Sequence, residues 1–335
     1  MISRDRLLNL LSCPSCRSPL ASLGSCSGCG AQFREESGTP ALFPPPRRRK
    51  VEFEFGPDRS TVPRALLESW LSYPPLCRPR RKLPHHLDDH HADVLESLQG
   101  GASVLEVGCG GGQMRPWLEG LGHTYVGTDI SKARVDAGLR EFGGPDFLSD
   151  AHFLPLRDRV FDAVYSAAAT EHFACPHLAA QEAARVLRPG GYYLGNVAFL
   201  EPWHDSSFFH MSPLGVIELL TQASFEILHL WPGRGWSGYR ALMAMGNRLT
   251  QALSFAGDGT YLLFRSWSRF ANFTGRLLGR EVQREILVDA KVAGSIAWIA
   301  RRSPSPVRLG RPQGDDPPFG STGPPPRDGR GWLSE

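Results

Sequence analysis

The sequence predicts an α/β fold in which helices cover a doubly wound, largely parallel β-sheet. Residues 103–107 form a short, mostly apolar run between glycines, as expected of a buried parallel strand. Residues 113–121 carry apolar side chains at helical spacing, and a second apolar run follows at 124–130. Strand, glycine-rich turn, helix and strand in this order open a doubly wound sheet, whose ligands bind at the carboxyl ends of the strands.

The turn after the first predicted strand and the end of the second predict two contact points for one ligand. Gly108, Gly110 and Gly112 tolerate positive φ and carry no Cβ, so a ligand can touch the main chain. Asp129 ends the second strand, where a carboxylate can hold a ribose diol. The sequence therefore predicts a nucleoside site at this edge of the sheet.

Two residues decide which nucleoside is favoured. The dinucleotide fingerprint places Gly or Ala five residues after its first glycine, and here that position is Gln113. Glu106, just before the turn, would repel a pyrophosphate, whereas it suits a ligand that carries a sulfonium and an ammonium group. These residues favour S-adenosylmethionine (SAM) over NAD or FAD.

From about residue 90 to residue 200 the chain resembles the class I SAM-dependent methyltransferases. Beyond the turn at residues 108–112, which we call the glycine turn, the segments that carry the resemblance are 147–156, 159–166, 169–173, 181–189 and 192–199. The resemblance implies a seven-stranded, doubly wound, Rossmann-like methyltransferase sheet, with 181–189 as a helix and 192–199 as the fifth strand. The alternative is a Rossmann-like domain with a different pocket.

The resemblance also implies a set of cofactor-binding residues. In it, Asp150 contacts the adenine amine and Ser166 lies beneath the reacting end of the cofactor. The complete predicted set is Glu106, Gly108, Cys109, Gly110, Gly112, Asp129, Ile130, Asp150, Ala151 and Ser166.

Candidate catalytic residues follow the fourth predicted strand. Glu171 and His172 are placed to act on a methyl acceptor, and histidine is a residue type that can serve as a general base near neutral pH. His204, Asp205 and His210, after the fifth strand, are rival candidates.

Four cysteines near the N-terminus predict a metal site. Cys13, Cys16, Cys26 and Cys29 form two Cys-x-x-Cys pairs, which can present four thiolates to Zn²⁺ in a tetrahedron. With four cysteine ligands no coordination position stays open, so the predicted role of the zinc is structural. The segment also resembles the small zinc ribbons that accompany some methyltransferases. A disulfide pair and a redox dithiol are the alternatives.

Later segments complete the predicted sheet and add a helical insertion. Residues 212–220 are predicted to be a helix, and 225–230 and 293–300 the last strands of seven. Residues 233–290 are rich in aromatic residues with interleaved arginines, and a structureless loop of this size is implausible, so they are predicted to be helical. This insertion is interpreted as a substrate lid, a surface for lipid or a large apolar substrate, or an extra packed layer.

Paired histidines in the lead-in to the first strand resemble a metal-binding pattern. Residues 85–98 are nevertheless predicted to be a helix, with His85, His86, His90 and His91 solvated or at the rim of a pocket.

Bulk composition limits the class of protein. A hydrophobic content of 41% and a charged content of 21% are those of an ordinary globular protein, and a net charge of +3 is too small for a polyelectrolyte. The first residues do not resemble a signal peptide, and no uncharged run is long enough to span a bilayer. We therefore expect a cytoplasmic protein, with peripheral membrane contact as an additional expectation.

The predicted organisation has four parts. They are a zinc ribbon (1–43), a basic linker and helical lead-in (44–84), a methyltransferase domain (85–302) and a disordered tail rich in Pro, Gly and Arg (303–335). Basic runs at 47–50 and 78–82 are candidate contacts for RNA phosphates or anionic lipid headgroups, or simply a solvated linker.

Three functions compete at this point. The first is a SAM-dependent methyltransferase that acts on a small-molecule or lipid-like acceptor, as the single core domain and the aromatic insertion suggest. The second is a ribosomal or transfer RNA methyltransferase, because a ribbon followed by a methyltransferase domain resembles the ribosomal RNA guanine methyltransferases. The third is a non-catalytic SAM-binding protein whose ribbon docks a partner chain.

Overall fold

A computed structural model describes most of the chain. The described residues are 2–46, 64–73, 82–84, 86–132, 142–204, 206–233 and 235–304. His85, Asp205, the basic run 47–50, most of the run 78–82 and all but the first two residues of the predicted tail lie outside these ranges.

One mixed sheet organises the described residues. Its strands are β1 (Arg34–Glu36), β2 (Thr39–Ala41), β3 (Ser103–Val107), β4 (Thr124–Asp129), β5 (Phe147–Leu148), β6 (Phe161–Ala167), β7 (Leu187–Ala198), β8 (Phe225–Pro232) and β9 (Ser295–Arg302). The order across the sheet is β1-β2-β5-β4-β3-β6-β7-β9-β8. The strands from β2 to β7 in this order pair in parallel, whereas β1, β8 and β9 pair antiparallel with their neighbours.

The described sheet has nine strands, so the expectation of seven was wrong. The seven from β5 to β8 in the sheet order are those predicted, and the two additional strands come from the N-terminal segment. The β1–β2 hairpin extends the sheet because Ala41 of β2 pairs with Leu148 of β5, and Leu42 N–H donates to the Leu148 carbonyl over 2.8 Å. An edge strand with unpaired backbone groups accepts such an addition readily.

Helices cover both sides of the sheet and fill its connections. They are α1 (Arg4–Leu10), α2 (Arg64–Trp70), α3 (Asp89–Ser97), α4 (Arg115–Gly120), α5 (Pro176–Val186), α6 (Pro213–Gln222), α7 (Gly238–Ala244), α8 (Arg248–Ala252), α9 (Phe255–Leu277) and α10 (Glu285–Ala290).

Local capping explains where two of these helices begin. At α6, the Ser212 side chain accepts from Gly215 N–H and Pro213 occupies the first turn, as predicted. At α3, Asp88 Oδ1 accepts from the N–H groups of His90 and His91, each over 3.0 Å, so the helix begins at residue 89 rather than 85.

Of the histidines expected to be solvated or at a pocket rim, His86 is exposed, but the expectation was wrong for His91 on α3. His91 is fully buried and its Nε2 lies 3.1 Å from the carbonyl oxygen of Trp298 on β9. The His90 ring stacks on Tyr73 with the centroids 3.8 Å apart. Both imidazoles hold α3 against the sheet.

The helix predicted at 181–189 ends earlier than expected. α5 begins at Pro176 and ends at Val186, and β7 starts immediately at Leu187. The segment Arg188-Pro189-Gly190-Gly191 therefore belongs to the strand, where the pairing with β6 shifts register between Phe161 and Ala163. The helix ends because Leu187 is already extended, with φ −72° and ψ 143°.

The N-terminal segment and the central sheet share one apolar core. Leu11 and Leu42 are fully buried, and they pack in the same cluster as Phe147, Phe161 and Val164 of the sheet. The predicted domain boundary at residue 43 stays a prediction, and the residues before it pack on those after it.

The segment between β8 and β9 is mostly helical, as its aromatic pattern suggested. α7 to α10 lie within residues 238–290, and α9 is the longest described helix, with 23 residues. Within the described ranges no helix combines the length and the apolarity needed to cross a membrane.

Candidate cofactor and acceptor site

The glycine turn lies at the carboxyl end of β3 and bonds to the end of β4. Gly108 N–H and Cys109 N–H both donate to the Thr128 carbonyl, over 2.9 and 3.1 Å. Gly108, Gly110 and Gly112 have φ values of +79°, +51° and +81°. A Cβ on Gly108 would come within 2.4 Å of the Ala169 Cβ, so glycine is required there for close packing as well as for conformation.

The open side of the turn is at Gly110. A Cβ added there would meet only the Gln113 Oε1, at 3.9 Å, so space remains for a ligand beside the main chain. Gly110 N–H donates to Asp129 Oδ2 over 2.9 Å, and Ile130 N–H donates to Asp129 Oδ1 over 2.7 Å. The predicted ribose-binding carboxylate is thereby held in place at the tip of β4.

Ile130, also in the predicted set, is 45% exposed beside Asp129. An exposed apolar side chain next to the ribose-binding candidate offers a surface to a planar base. Cys109 is buried, and burial raises the pKa of its thiol well above the usual value. It therefore behaves as a small apolar residue, as expected.

Glu106 lies buried behind the turn. Its Oε2 accepts a hydrogen bond from the Tyr125 hydroxyl over 2.5 Å. Burial raises the pKa of Glu106 to about 8, against the lowering effect of that hydrogen bond. Without a ligand, Glu106 therefore carries a proton at neutral pH, and a nearby cation would favour its ionised form.

A second buried polar group supports the turn, and no local sequence pattern pointed to it. Arg115, at the start of α4, donates to Asp146 Oδ2 and to the Gly144 carbonyl, each over 3.0 Å. Its guanidinium lies 4.5 Å from the centroid of the Tyr125 ring. Tyr125 is therefore in contact with both Glu106 and Arg115, which fixes the hydroxyl that binds Glu106.

Asp150 and Ala151 follow β5 at the same edge of the sheet. Asp150 Oδ1 accepts from His152 N–H over 2.9 Å and lies 2.5 Å from His152 Nδ1. Burial opposes ionisation of Asp150, but these bonds from His152 dominate and lower its pKa. His152 in turn accepts from Cys175 N–H over 3.0 Å, a connection to the start of α5 that the sequence did not indicate.

The predicted Ser166 is buried on β6, near the same end of the sheet. The loop after β6 then brings Glu171 and His172 to this edge in a single turn of 3₁₀ helix, Thr170–His172. Ala169, which touches Gly108, precedes that turn and joins it to the glycine turn.

The structure brings His204 to Glu171 and His172, although His204 was a rival candidate in the sequence. One ligating atom from each of the three side chains lies within 4.8 Å of the others. The rings of His172 and His204 meet edge to face, with centroids 5.4 Å apart. His210 lies 5.7 Å from His204, ring to ring, while Asp205 is outside the described residues.

Glu171 is 2% exposed and tightly held. Its carbonyl accepts from Phe208 N–H and Phe209 N–H, over 2.7 and 3.2 Å, so the loop after β7 is joined to the loop after β6. Burial raises the pKa of the Glu171 side chain to about 8.

The four N-terminal cysteines converge as predicted. The Sγ atoms of Cys13 and Cys29 lie 3.6 Å apart, as do those of Cys16 and Cys26, and all four lie within 4.8 Å of one another. A tetrahedron of thiolates about 2.3 Å from Zn²⁺ places its sulfurs about 3.8 Å apart. Ser15 N–H points to Cys13 Sγ over 3.4 Å, which favours a thiolate at that position. The donor set therefore fits zinc.

Comparison with known proteins identifies the central segment. Residues 105–195 match the family model described as a methyltransferase domain. The chain is 35% identical over 116 residues to the phthiotriol/phenolphthiotriol dimycocerosates methyltransferase 1 of Mycobacterium ulcerans, covering 32% of this chain and 42% of that protein. It is 34% identical over 110 residues to the fatty-acid O-methyltransferase of Mycolicibacterium smegmatis, covering 31% and 40%.

A third relative has a different substrate in its name. The tRNA (carboxymethyluridine(34)-5-O)-methyltransferase of Xenopus tropicalis is 40% identical over 112 residues, which are 32% of this chain and 17% of that protein. The chain thus spans less than half the length of the curated relatives it matches.

Among solved structures, the complex between the Haloferax volcanii Trm112 methyltransferase activator and a methyltransferase aligns at 18% identity and a TM-score of 0.40. It covers 64% of this chain and 89% of that one, a likeness too low to support an argument. The family match and the relatives show that residues 105–195 are a methyltransferase domain.

Proposed function

We propose that the protein is a SAM-dependent methyltransferase that moves a methyl group to a small-molecule or lipid-like acceptor by in-line displacement. The observation that carries this proposal is the joined arrangement of the glycine turn, Asp129 and Glu106 at one edge of the sheet. The space where a Cβ of Gly110 would lie is open, and the buried carboxyl group of Glu106 lies behind the turn. These residues therefore fit a nucleoside that also carries positive charge.

In this proposal each residue of the predicted set has a separate task. Asp129 accepts from the ribose hydroxyls, Ile130 covers the base, and Asp150 with Ala151 contacts the adenine end. Glu106 stabilises the cationic part, while Gly108, Cys109, Gly110 and Gly112 leave room for the methionine part and Ser166 lies beneath the reacting end. SAM bound there supplies an electrophilic methyl group.

The chain's own residues then position the acceptor and handle its proton. Alignment of donor and acceptor and exclusion of water supply most of the rate enhancement in such a transfer. Glu171 and His172 lie one short turn beyond Ala169, which touches the glycine turn, so they are placed to receive a proton from an acceptor.

A lipid-like acceptor is supported by the surface of α9. Phe255, Leu263, Trp267 and Leu277 are 66%, 74%, 67% and 72% exposed, and with Leu262, Phe270 and Phe273 they fall on one side of the helix. An exposed apolar stripe of this length marks a contact with an apolar partner. We name it the α9 stripe, and two of the relatives carry lipid substrates in their names.

An RNA acceptor is the second candidate. It is supported by the similarity to the tRNA methyltransferase and by the basic runs 47–50 and 78–82 of the sequence. For the N-terminal cysteines we propose a structural zinc ion, with the ribbon surface as a candidate contact for a protein partner. A cytoplasmic location, with peripheral contact to an anionic membrane, fits these proposals.

Titration of SAM by calorimetry tests the cofactor assignment. We expect Asp129→Ala to weaken SAM binding about 10- to 100-fold, because a charged hydrogen bond to the ribose contributes about 1.5–3 kcal/mol. Asp93→Ala, which removes an exposed carboxylate on α3, is the matched control and should leave the affinity unchanged. Equal affinity in wild type and Asp129→Ala would remove the ribose assignment.

A labelled-methyl assay separates the two acceptor classes. With methyl-labelled SAM, we expect label in long-chain hydroxy or carboxylic lipids and none in total RNA. The reverse result would favour the RNA acceptor. If no component of a whole-cell extract is labelled either, although SAM binds, the protein is better described as a non-catalytic SAM-binding protein.

A further inference from the structure

We propose that Glu171, His172 and His204 form a binding site for a divalent transition-metal ion, separate from the four-cysteine cluster. Two imidazoles and one carboxylate are a donor set that binds Zn²⁺, Fe²⁺, Mn²⁺ and Co²⁺. Their ligating atoms lie within 4.8 Å of one another, whereas ligands about 2.1 Å from one ion lie roughly 3–4 Å apart. Small side-chain rotations bring the three atoms to that spacing.

The carboxylate supplies an independent indication of a ligand. Glu171 is 2% exposed, and its Oε2 is buried with no hydrogen-bond partner among the described residues. A buried polar atom left without a partner costs about 1–3 kcal/mol, so it marks a place where a partner binds. His172 and His204 each place a ligating atom within 4.8 Å of the Glu171 carboxylate.

His204 is oriented in the way that metal-binding histidines are. Its Nδ1 lies 3.0 Å from the Pro202 carbonyl oxygen, so Nδ1 carries the hydrogen and donates it. Glu201 Oε2 lies 4.0 Å from the same nitrogen. The lone pair therefore resides on Nε2, and a backbone carbonyl that fixes the ring in this form is the usual support of a metal ligand.

The backbone holds the three residues together before any ion binds. The carbonyl of Glu171 accepts from the N–H groups of Phe208 and Phe209, which joins the loop after β6 to the loop that carries His204. A site formed by two loops that are bonded to each other loses little conformational entropy when it closes on an ion.

The position of the cluster suggests what the ion would do. It lies at the carboxyl edge of the sheet, one short turn from Ala169 and hence from the glycine turn. Three protein ligands leave coordination positions open, and these fit an oxygen of the acceptor, either a hydroxyl or a carboxylate. This role rests on the proposed function, and with the ion bound Glu171 and His172 hold the metal instead of receiving the acceptor's proton. Binding of the ion does not rest on the proposed function.

Cobalt titration of the full-length protein, purified with zinc in the cysteine cluster, tests the site. Thiolate ligands give Co²⁺ strong charge-transfer absorption, and nitrogen and oxygen ligands do not, so the spectrum distinguishes the two clusters. We expect one equivalent of Co²⁺ with no thiolate band. Glu171→Gln and His204→Ala should each weaken its binding by about tenfold or more.

His177→Ala, on α5 and outside the cluster, is the matched control and should change the affinity less than about twofold. Circular dichroism and SAM titration of each variant show that it is folded. The proposal is overturned if the wild type binds no stoichiometric Co²⁺ outside the cysteines, or if binding survives in both variants. Loss of SAM binding in Asp129→Ala with Co²⁺ binding intact would bear on the cofactor alone, so the two proposals fail separately.

Discussion

The N-terminal segment and the helical segment 238–290 are both additions to the same sheet, and they contact it differently. The N-terminal segment buries Leu11 and Leu42 in the core and extends the sheet through β2. The helical segment buries Ile286 and Ala290 of α10 in that core, but its longest helix, α9, leaves the α9 stripe exposed.

The polar contacts of the N-terminal segment also differ from those of the helical segment. Arg17, in the first cysteine knuckle, donates to both oxygens of Glu182 on α5, over 3.0 and 3.1 Å, and Glu182 is fully buried. In the helical segment, Tyr261 donates to Asp289 over 2.8 Å, and Arg269 pairs with Glu285 at the surface. The first set ties an addition to the sheet, whereas the second ties helices of the addition to one another.

This difference separates stability from function. Because the N-terminal segment buries Leu11 and Leu42 against the sheet, we expect its loss to lower the stability of the whole. The exposed stripe contributes little to folding and is available for binding. Four experiments test this distinction, in order of decreasing expected effect.

Removal of the proposed zinc should have the largest effect on stability. Structural zinc sites contribute about 10–16 kcal/mol of binding free energy, and here the site belongs to a segment that shares the core of the sheet. We expect a chelator, or Cys13→Ser, to lower the Tm of the entire protein by several degrees in differential scanning calorimetry. Cys175→Ser is the control, and an unchanged main transition would show that the sheet folds independently.

Loss of the buried charge at Glu182 should have the second-largest effect on stability. Glu182→Gln removes the carboxylate that faces both Arg17 and Arg185, since Arg185 also donates to Glu182, over 2.8 and 3.1 Å. Arg185 keeps its pair with Asp158 at 2.7 Å, whereas Arg17 loses its ion pair with Glu182. We expect the free energy of unfolding in urea to fall by about 2–3 kcal/mol. Glu36→Gln, exposed on β1, should change it by less than about 0.5 kcal/mol. Equal values for the two variants would contradict a role for Glu182 in docking.

The sheet that carries both additions contributes a pH dependence through Glu106. Its pKa is raised to about 8 by burial, so the folded protein holds a proton that the unfolded chain releases near its usual pKa of 4.5. The contribution to stability is therefore complete below pH 4.5 and is lost as the pH rises towards about 8.

Binding of a cation depends on pH in the opposite direction to stability, because it is favoured as the pH rises. SAM favours the ionised carboxylate, so we expect its affinity to rise with pH up to about pH 8, by at most about tenfold per pH unit, with release of a proton. Calorimetry in buffers of different ionisation enthalpy measures the proton. Glu106→Gln should abolish the dependence, and an affinity independent of pH in the wild type would contradict the placement of charge at Glu106.

Changes in the α9 stripe should have the smallest effect on stability. Leu263→Ser combined with Trp267→Ser should alter the free energy of unfolding by less than about 0.5 kcal/mol per site, because both side chains are exposed. Binding to vesicles of mixed neutral and anionic phospholipid should fall about tenfold or more. Trp267→Phe keeps an apolar ring and should retain binding. A large loss of stability would indicate that the stripe packs within the protein.

Several parts of the fold were predictable because local patterns encode them. The run 103–107 is β3 with the predicted bounds, and the Ser212-Pro213 pair starts α6 as its capping chemistry requires. The glycine turn and the paired cysteines near the N-terminus were also predictable, because the residues of each motif are separated by short spacings. In each case the interacting residues lie within a few positions of one another in the chain.

Other features depend on residues far apart in the chain. No pattern in the sequence joins β2 to β5, Arg17 to Glu182, or His204 to the Glu171 turn. The buried state of His91 was likewise missed, because its partner is a carbonyl on β9. Sequence periodicity reports which face of an element is apolar, but it does not report which distant group will meet that face.

By itself the sequence determined the class of fold, the glycine turn with Asp129, and the grouping of four cysteines in two pairs, because each follows from local backbone chemistry and spacing. Only the tertiary structure decided that the N-terminal hairpin extends the described sheet to nine strands and that burial beside Tyr125 raises the pKa of Glu106. It also decided that the side chains of Glu171, His172 and His204 lie close together. These features depend on burial and on contacts between distant segments, and both arise only when the chain has folded.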